Sequence, residues 1–159
     1  MGVWLCPRGK RALVIDLASL TAKGNKWNGT EYVDALAPTI TPEAGTVSIA
    51  KTWYPSGGGY GNDKAGIAVS GALDLTDYSK IIVDVSAVSG VGHVAVYVST
   101  SNTDFRRNRD LNLYDQAAGT LELNVSSLTG TYYFGIAIEA TGQASNTKTI
   151  TISSIKATK

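Results

Sequence analysis

The sequence predicts an all-β protein: an antiparallel jelly-roll β-sandwich of about eight strands with an extended N-terminal arm. Ser and Thr supply 31 of the 159 residues and Gly another 17, while charged residues make up only 17%. This composition is typical of strands and turns. Apolar and polar residues alternate in segment after segment, which is the period of a half-buried strand. The length suits one hydrophobic core, and no apolar run is long enough for a transmembrane helix.

Eight segments carry the strand pattern, and turns rich in Gly, Asn, Asp and Ser separate them. In the fourth segment Ile81, Val83 and Val85 share one face, while Ile82 and Asp84 share the other. The last segment slips by one residue at Ser153–Ser154, which indicates a β-bulge. The glycine-rich run 56–63 is a loop between two strands. The predicted strands are Ala12–Leu17, Thr46–Trp53, Gly66–Val69, Lys80–Val88, His93–Thr100, Thr120–Ser126, Tyr132–Ala140 and Thr149–Lys156.

The charge distribution divides the chain into a docking arm, residues 1–25, and the sandwich, residues 26–159. The net charge is +1, yet residues 1–28 hold five basic residues and one acidic residue. A basic arm favours docking on an acidic partner surface, and a solvated charged end is the alternative interpretation. The predicted docking residues are Val3, Trp4, Leu5, Arg8, Lys10 and Arg11. A near-neutral body argues against nucleic-acid and membrane partners.

The chain lacks the residue sets that catalysis and metal binding require. Cys6 is the only cysteine and His93 the only histidine, which excludes an internal disulfide and multi-His or Cys-based metal centres. The sequence also lacks a G-x-S-x-G elbow and a phosphate-binding loop. We therefore predict a protein that is not an enzyme and holds no cofactor or metal.

Two aromatic segments are candidates for contact with a glycan or a partner protein. Trp53 and Tyr54 precede the glycine-rich run, and Tyr60 lies within it. Such rings stack on sugar faces or fill partner pockets, and the alternative is that Trp53 faces the core. The second segment combines aromatic rings with arginines that suit carboxylates or phosphates. Its candidate residues are Phe105, Arg106, Arg107, Arg109 and Tyr114.

Residues 73–85 resemble a recurring sequence pattern of carbohydrate-binding-module jelly rolls, in which a short turn leads into a long core strand. The segments 121–136 and 150–155 continue this pattern. These segments are also similar to standalone structural proteins of tailed phages of Gram-positive bacteria, in which an aromatic-Asn-Gly element like Lys26–Tyr32 precedes a glycine-rich stretch. The modules often carry an Asp on the final strand that holds a structural calcium. Ser153–Ser154 occupy that place here, so the resemblance does not extend to the calcium.

The phage resemblance and the basic arm lead to a virion protein as the first hypothesis. In it, a non-enzymatic capsid decoration, neck protein or tail fibre or adhesin docks on other virion proteins through the arm. Pro7 and Arg8 interrupt any signal peptide, so the chain is expected to be made in the host cytoplasm and to reside in the virion. The alternative is a carbohydrate-binding module that recognises a cell-surface or plant-type polysaccharide. Both hold for an adhesin, and homo-oligomers remain open.

Overall fold

In a computed structural model of the chain, residues 12–24, 26–27, 32–33, 37–53, 65–102, 109–113, 116–142 and 144–159 are described. They form two antiparallel sheets packed face to face, with a short 3-10 turn at Leu17–Ser19. No helix within these ranges is long and apolar enough to cross a membrane. The strands are β1 Leu13–Val14, β2 Thr21–Gly24, β3 Lys26–Trp27, β4 Tyr32–Val33, β5 Thr39–Glu43, β6 Thr46–Trp53, β7 Ala65–Val69, β8 Leu73–Asp74, β9 Lys80–Ser89, β10 Gly92–Ser99, β11 Arg109–Leu113, β12 Gly119–Asn124, β13 Thr131–Ala140 and β14 Asn146–Thr158.

The strand order is that of a jelly roll. The first sheet runs β12-β9-β14-β6-β5, with β1 also beside β14, and the second runs β11-β10-β13-β7-β2, with β8 beside β13. From β6 onward the chain crosses repeatedly between the two sheets, as in a jelly roll. Strands β3 and β4 pair with each other in a separate two-stranded sheet. The predicted fold class is therefore confirmed, and each of the eight predicted segments contains a strand.

The core fills the space between the two sheets. Alternate residues of β9, namely Ile81, Val83 and Val85, point into it as the sequence pattern predicts. The largest fully buried side chain is Phe134 on β13. Burial of such side chains contributes roughly 1.5–3 kcal/mol each, so the inter-sheet layer is the main source of stability.

Residues 12–24 of the predicted arm are part of the sandwich, which corrects the division at residue 25. Leu13 and Val14 pair with Ala157 and Lys156, and β2 pairs along β7. Ile15 and Leu20 are buried in the core. The apolar residues of this segment are thus needed inside the fold. The docking residues proposed from the sequence all lie in residues 1–11, outside the described residues.

The predicted bulge near Ser153–Ser154 is present. The pairing of β14 with β9 shifts register between Thr151 and Ile152 and again between Ile152 and Ser154. The alternation therefore resumes after the slip, and Ile150, Ile152 and Ile155 all reach the core. The bulge reconciles a one-residue irregularity in the sequence with a continuous buried face.

Candidate functional site

Of the predicted contact residues, the structure describes the side chain of Trp53. Arg109 begins β11, where its backbone pairs with Ser99 of β10, and its side chain is outside the description. The remaining candidates also lie outside the described residues: Tyr54, Tyr60, Phe105, Arg106, Arg107 and Tyr114, together with the docking residues Val3, Trp4, Leu5, Arg8, Lys10 and Arg11.

Trp53 lies where the space between the sheets reaches the end of the sandwich. Along β6 the inward-facing residues change from aliphatic to charged to aromatic, and β14 shows a matching change. The directly opposed pairs are, in order, Val47 with Ile152, Ile49 with Ile150, Lys51 with Lys148, and Trp53 with Asn146. The first two pairs are fully buried. Trp53 itself is half-buried, so the register places its ring at the rim of the inter-sheet space.

Lys51 and Lys148 are buried on this inward face, with only 5% and 8% of their surfaces exposed. The Lys148 ammonium donates a hydrogen bond of 3.1 Å to the carbonyl oxygen of Gly90 in the β9-β10 turn. Lysine stems pack against apolar surface while their charged heads reach polar groups. The side chain of Lys148 therefore runs from the core towards the rim that this turn forms.

Asn146 holds the rim together. Its side-chain amide donates hydrogen bonds to the carbonyl oxygens of Val91, at 2.5 Å, and Thr141, at 3.2 Å. The backbone N–H of Thr141 also donates to the Val91 carbonyl. These bonds tie the β9-β10 turn to the segment between β13 and β14, so the rim is fixed before any ligand arrives. We call Lys51, Trp53, Asn146 and Lys148, with the β9-β10 turn, the Trp53 end.

The Trp53 end combines the groups that bind saccharides. An indole ring offers a flat apolar face to the C–H groups of a sugar, and amide and ammonium groups hydrogen-bond its hydroxyls. Among the described residues, no three His, Cys, Asp or Glu side chains are grouped closely enough to hold a metal ion.

A second apolar layer lies on the outer face of the second sheet, which sequence analysis did not single out. Ile67, Val69, Ala95 and Tyr97 form it, and the half-buried Tyr133 packs against it. The available signal was the unbroken apolar run of β10, which is buried on both faces. Because its four central residues are at most 9% exposed, this layer is a small outer core rather than an open platform for a sugar ring.

The outer face of the first sheet carries a hydroxyl network around Asp84. Its carboxylate accepts hydrogen bonds from Ser154 at 2.5 Å and Thr120 at 2.8 Å. These two bonds, with the nearby Lys156 charge, lower the pKa of Asp84 below its ordinary value of 3.8. Ser153 in turn donates to the Asp84 carbonyl. The serines that replace the calcium-holding Asp of the resembling modules therefore bond within the sheet.

A groove of about 360 Å³ lies where the described chain begins, between β1, the 3-10 turn and the β5-β6 turn. Val14 on its wall is largely exposed. Lys156, which pairs with Val14, lies eight residues along β14 from Lys148. At roughly 3.3 Å per residue, the groove and the Trp53 end lie on opposite ends of the sandwich.

The comparison with solved structures finds four similar chains, one of which is a carbohydrate-binding module. The fold is similar to the solved structure of a low-affinity xylan-binding module, CBM86, from the gut symbiont Roseburia intestinalis. The two share 8% sequence identity at a TM-score of 0.47, over 91% of this chain and 96% of the module. No family model matches the sequence, and no curated protein matches it significantly. The similarity of the sequence to phage proteins stays a prediction.

Proposed function

We propose that this chain is a non-enzymatic glycan-binding module whose ligand contacts the Trp53 end. The observation that carries the proposal is a half-buried Trp53 directly opposite Asn146, at the last pair of the β6-β14 ladder. Small-molecule sites pair aromatic surface with a few fixed polar groups. Here the rim is held by hydrogen bonds of Asn146, so little ordering is required when a sugar binds.

The position of Trp53 favours binding over core packing. Lys51 lies between Trp53 and the aliphatic pairs of the core on the inward face of β6. Truncating a large aromatic inside a core costs about 3–5 kcal/mol. A half-buried ring at the rim is expected to cost less, because folding removes less of its surface from water. Binding and stability are therefore separable at this residue.

The test is the exchange of Trp53 for alanine, read by both binding and stability. Affinity electrophoresis against plant-type and bacterial cell-surface polysaccharides should show a loss of at least tenfold for Trp53→Ala on any polymer that the wild type binds. The melting temperature should change by only a few degrees. Tyr133→Ala is the matched control, because it removes a half-buried ring from the outer face of the second sheet and should leave binding intact.

Three results would contradict the proposal. If Trp53→Ala binds the polymer as tightly as the wild type does, the Trp53 end is not the contact surface. If Tyr133→Ala loses binding instead, the contact surface is the outer face of the second sheet. A stability loss in the core range would show that Trp53 is a packing residue.

The virion setting stays a prediction. The segment that would dock, residues 1–11, precedes β1, which pairs with the final residues of β14. The Trp53 end lies at the beginning of that strand. A chain anchored at the first end would present the second outward, so glycan binding is compatible with an adhesin as well as with a solitary module.

A further inference from the structure

The β9-β10 turn exposes an apolar side chain, Val91, at the Trp53 end. Val91 and Val14 are the large apolar side chains that the described part of the chain leaves exposed, at 60% and 71% of their surfaces. Val14 lies by the groove at the opposite end of the sandwich. A single exposed valine is ordinary on a protein surface, so the significance of Val91 depends on how the turn holds it and on what lies beside it.

Three hydrogen bonds fix the turn that carries Val91. The Val91 carbonyl oxygen accepts one from the side-chain amide of Asn146 at 2.5 Å and one from the backbone N–H of Thr141 at 3.1 Å. The Lys148 ammonium donates the third to the carbonyl oxygen of Gly90, the preceding residue, at 3.1 Å. The turn is therefore tied to the beginning of β14 and to the segment that precedes this strand.

Two glycines bring the same turn into close contact with both sheets. Gly90 has a φ of +82° and Gly92 a φ of +139°, a region that residues with a side chain rarely adopt. A Cβ added at Gly90 would lie 1.8 Å from the carbonyl oxygen of Thr147, and one added at Gly92 would lie 1.9 Å from that of Glu139. Val91 lies between these two contacts, so a ligand that touches it does not have to order the turn first.

The strand order sets the distance between Val91 and Trp53. In the first sheet β14 lies between β6 and β9. Asn146 at the beginning of β14 is directly opposite Trp53 at the end of β6, and the turn that follows β9 carries Val91. The backbones of Trp53 and Val91 are therefore about two strand spacings, or about 10 Å, apart. The three residues form a row across the end of the first sheet, with the Asn146 amide between two apolar side chains.

We propose that the ligand of the Trp53 end is a polysaccharide segment of at least two linked sugar rings, and that Val91 contacts the ring next to the one on Trp53. This inference rests on the proposed function. A single sugar ring does not span the distance between the two apolar side chains, whereas linked rings do. Each ring presents C–H groups to apolar surface, and every further contact adds affinity. Val91 therefore favours a polymer over a free monosaccharide.

The first readout is the dependence of affinity on ligand length. Calorimetry measures the full chain against xylose, glucose and N-acetylglucosamine and against the linear oligomers of each with two, four and six rings. In a series that binds, affinity should rise roughly tenfold or more from the monosaccharide to the longer oligomers, because the second ring gains the contact with Val91. Equal affinity for the monosaccharide and the oligomers would overturn the inference.

The second readout is the exchange of Val91 itself. Val91→Ser removes apolar surface and should weaken binding of the longer oligomers by about threefold or more, with the affinity for the monosaccharide unchanged. Val91→Tyr adds an aromatic ring and should strengthen binding of the same oligomers. Because the side chain is exposed, both variants should melt within about 2 °C of the wild type.

Val14 provides the matched control. Val14→Ser and Val14→Tyr make the same changes to an equally apolar and still more exposed side chain at the opposite end of the sandwich. Both should bind every oligomer as the wild type does. Equal effects of the Val14 and Val91 variants would overturn the inference, since the contact would not be specific to the Trp53 end.

The outcomes separate this inference from the proposed function. Binding that Trp53→Ala abolishes and that neither Val91 variant changes overturns the role of Val91 and leaves glycan binding at the Trp53 end standing. A large loss of stability in Val91→Ser would make Val91 a packing residue and overturn the inference as well. Absence of binding to every oligomer and to the parent polysaccharides overturns both.

Discussion

Replacing Lys148 with methionine is expected to stabilise the folded chain, although it removes a hydrogen bond. The substitution keeps most of the apolar stem and removes one of two buried positive charges that oppose each other across β6 and β14. The lost bond runs to the carbonyl of Gly90, which is exposed, so water replaces the ammonium as donor. The removal of charge repulsion therefore dominates.

The magnitude follows from the ladder geometry. Directly opposed residues start from Cβ atoms about 5 Å apart, and flexible stems let the ammonium groups separate further. At about 7–10 Å and an effective dielectric constant of about 20, the repulsion is about 1.7–2.4 kcal/mol. Loss of a hydrogen bond costs about 0.5–1.5 kcal/mol. The net gain is about 1 kcal/mol, or roughly 2–4 °C in melting temperature for a chain of this size.

Urea unfolding of the wild type, Lys148→Met, Lys148→Arg and Lys80→Met measures the effect. The arginine variant should show no gain, because the charge remains. The Lys80 variant should change stability by less than about 1 kcal/mol, as expected for its exposed ion pair with Glu122. A loss of more than 1 kcal/mol for Lys148→Met would refute the reasoning. It would show that the hydrogen bond from Lys148 to the Gly90 carbonyl contributes more to stability than the charge repulsion removes.

Two further predictions concern the outer face of the first sheet and two of its turns. Hydrogen bonds lower the folded-state pKa of Asp84, so its contribution to stability is complete above the ordinary Asp pKa and is lost as pH falls below it. Below about pH 4, the melting temperature of Asp84→Asn should therefore fall less steeply with decreasing pH than that of the wild type. Equal slopes for the two proteins would contradict this prediction. The Cβ atom introduced by Gly90→Ala would clash with the carbonyl oxygen of Thr147, whereas the Cβ atom introduced by Gly45→Ala, at a similar φ of +78°, would have no atom within 4 Å. Urea unfolding should show that Gly45→Ala lowers the free energy of unfolding by about 1–2 kcal/mol and that Gly90→Ala lowers it further. Equal losses would mean that the β9-β10 turn can shift to accommodate the methyl group.

The strands and their buried faces could be predicted because alternation is a local property of the chain. Successive side chains of a strand point to opposite faces, so Ile81, Val83 and Val85 could be assigned to the core without a partner strand. The bulge near Ser153–Ser154 was visible for the same reason, as a break in period two. The fold class followed from these patterns and from a composition with few helix-favouring segments.

Residues 12–24 and Tyr97 show the limit of local patterns. The basic residues within positions 1–28 suggested a docking arm that reaches residue 25. In the structure β1 and β2 pair within the two sheets, and Ile15 and Leu20 lie in the core. The alternation in β10 places Tyr97 on the face away from the core, yet the structure buries that face as well. In both cases burial depends on which strands lie alongside, and the sequence of one segment does not contain that information.

The sequence by itself predicted eight of the strands and many of their inward residues, and it singled out Trp53 as a candidate for recognition. Only the tertiary structure placed Lys51 opposite Lys148 and Trp53 opposite Asn146. The physical reason is register: pairing between distant strands is set by turns and by packing of the whole sandwich, and a shift of one residue would move every one of these side chains to the other face. The charge of the Trp53 end is therefore a property of the fold, although each residue that supplies it is plain in the sequence.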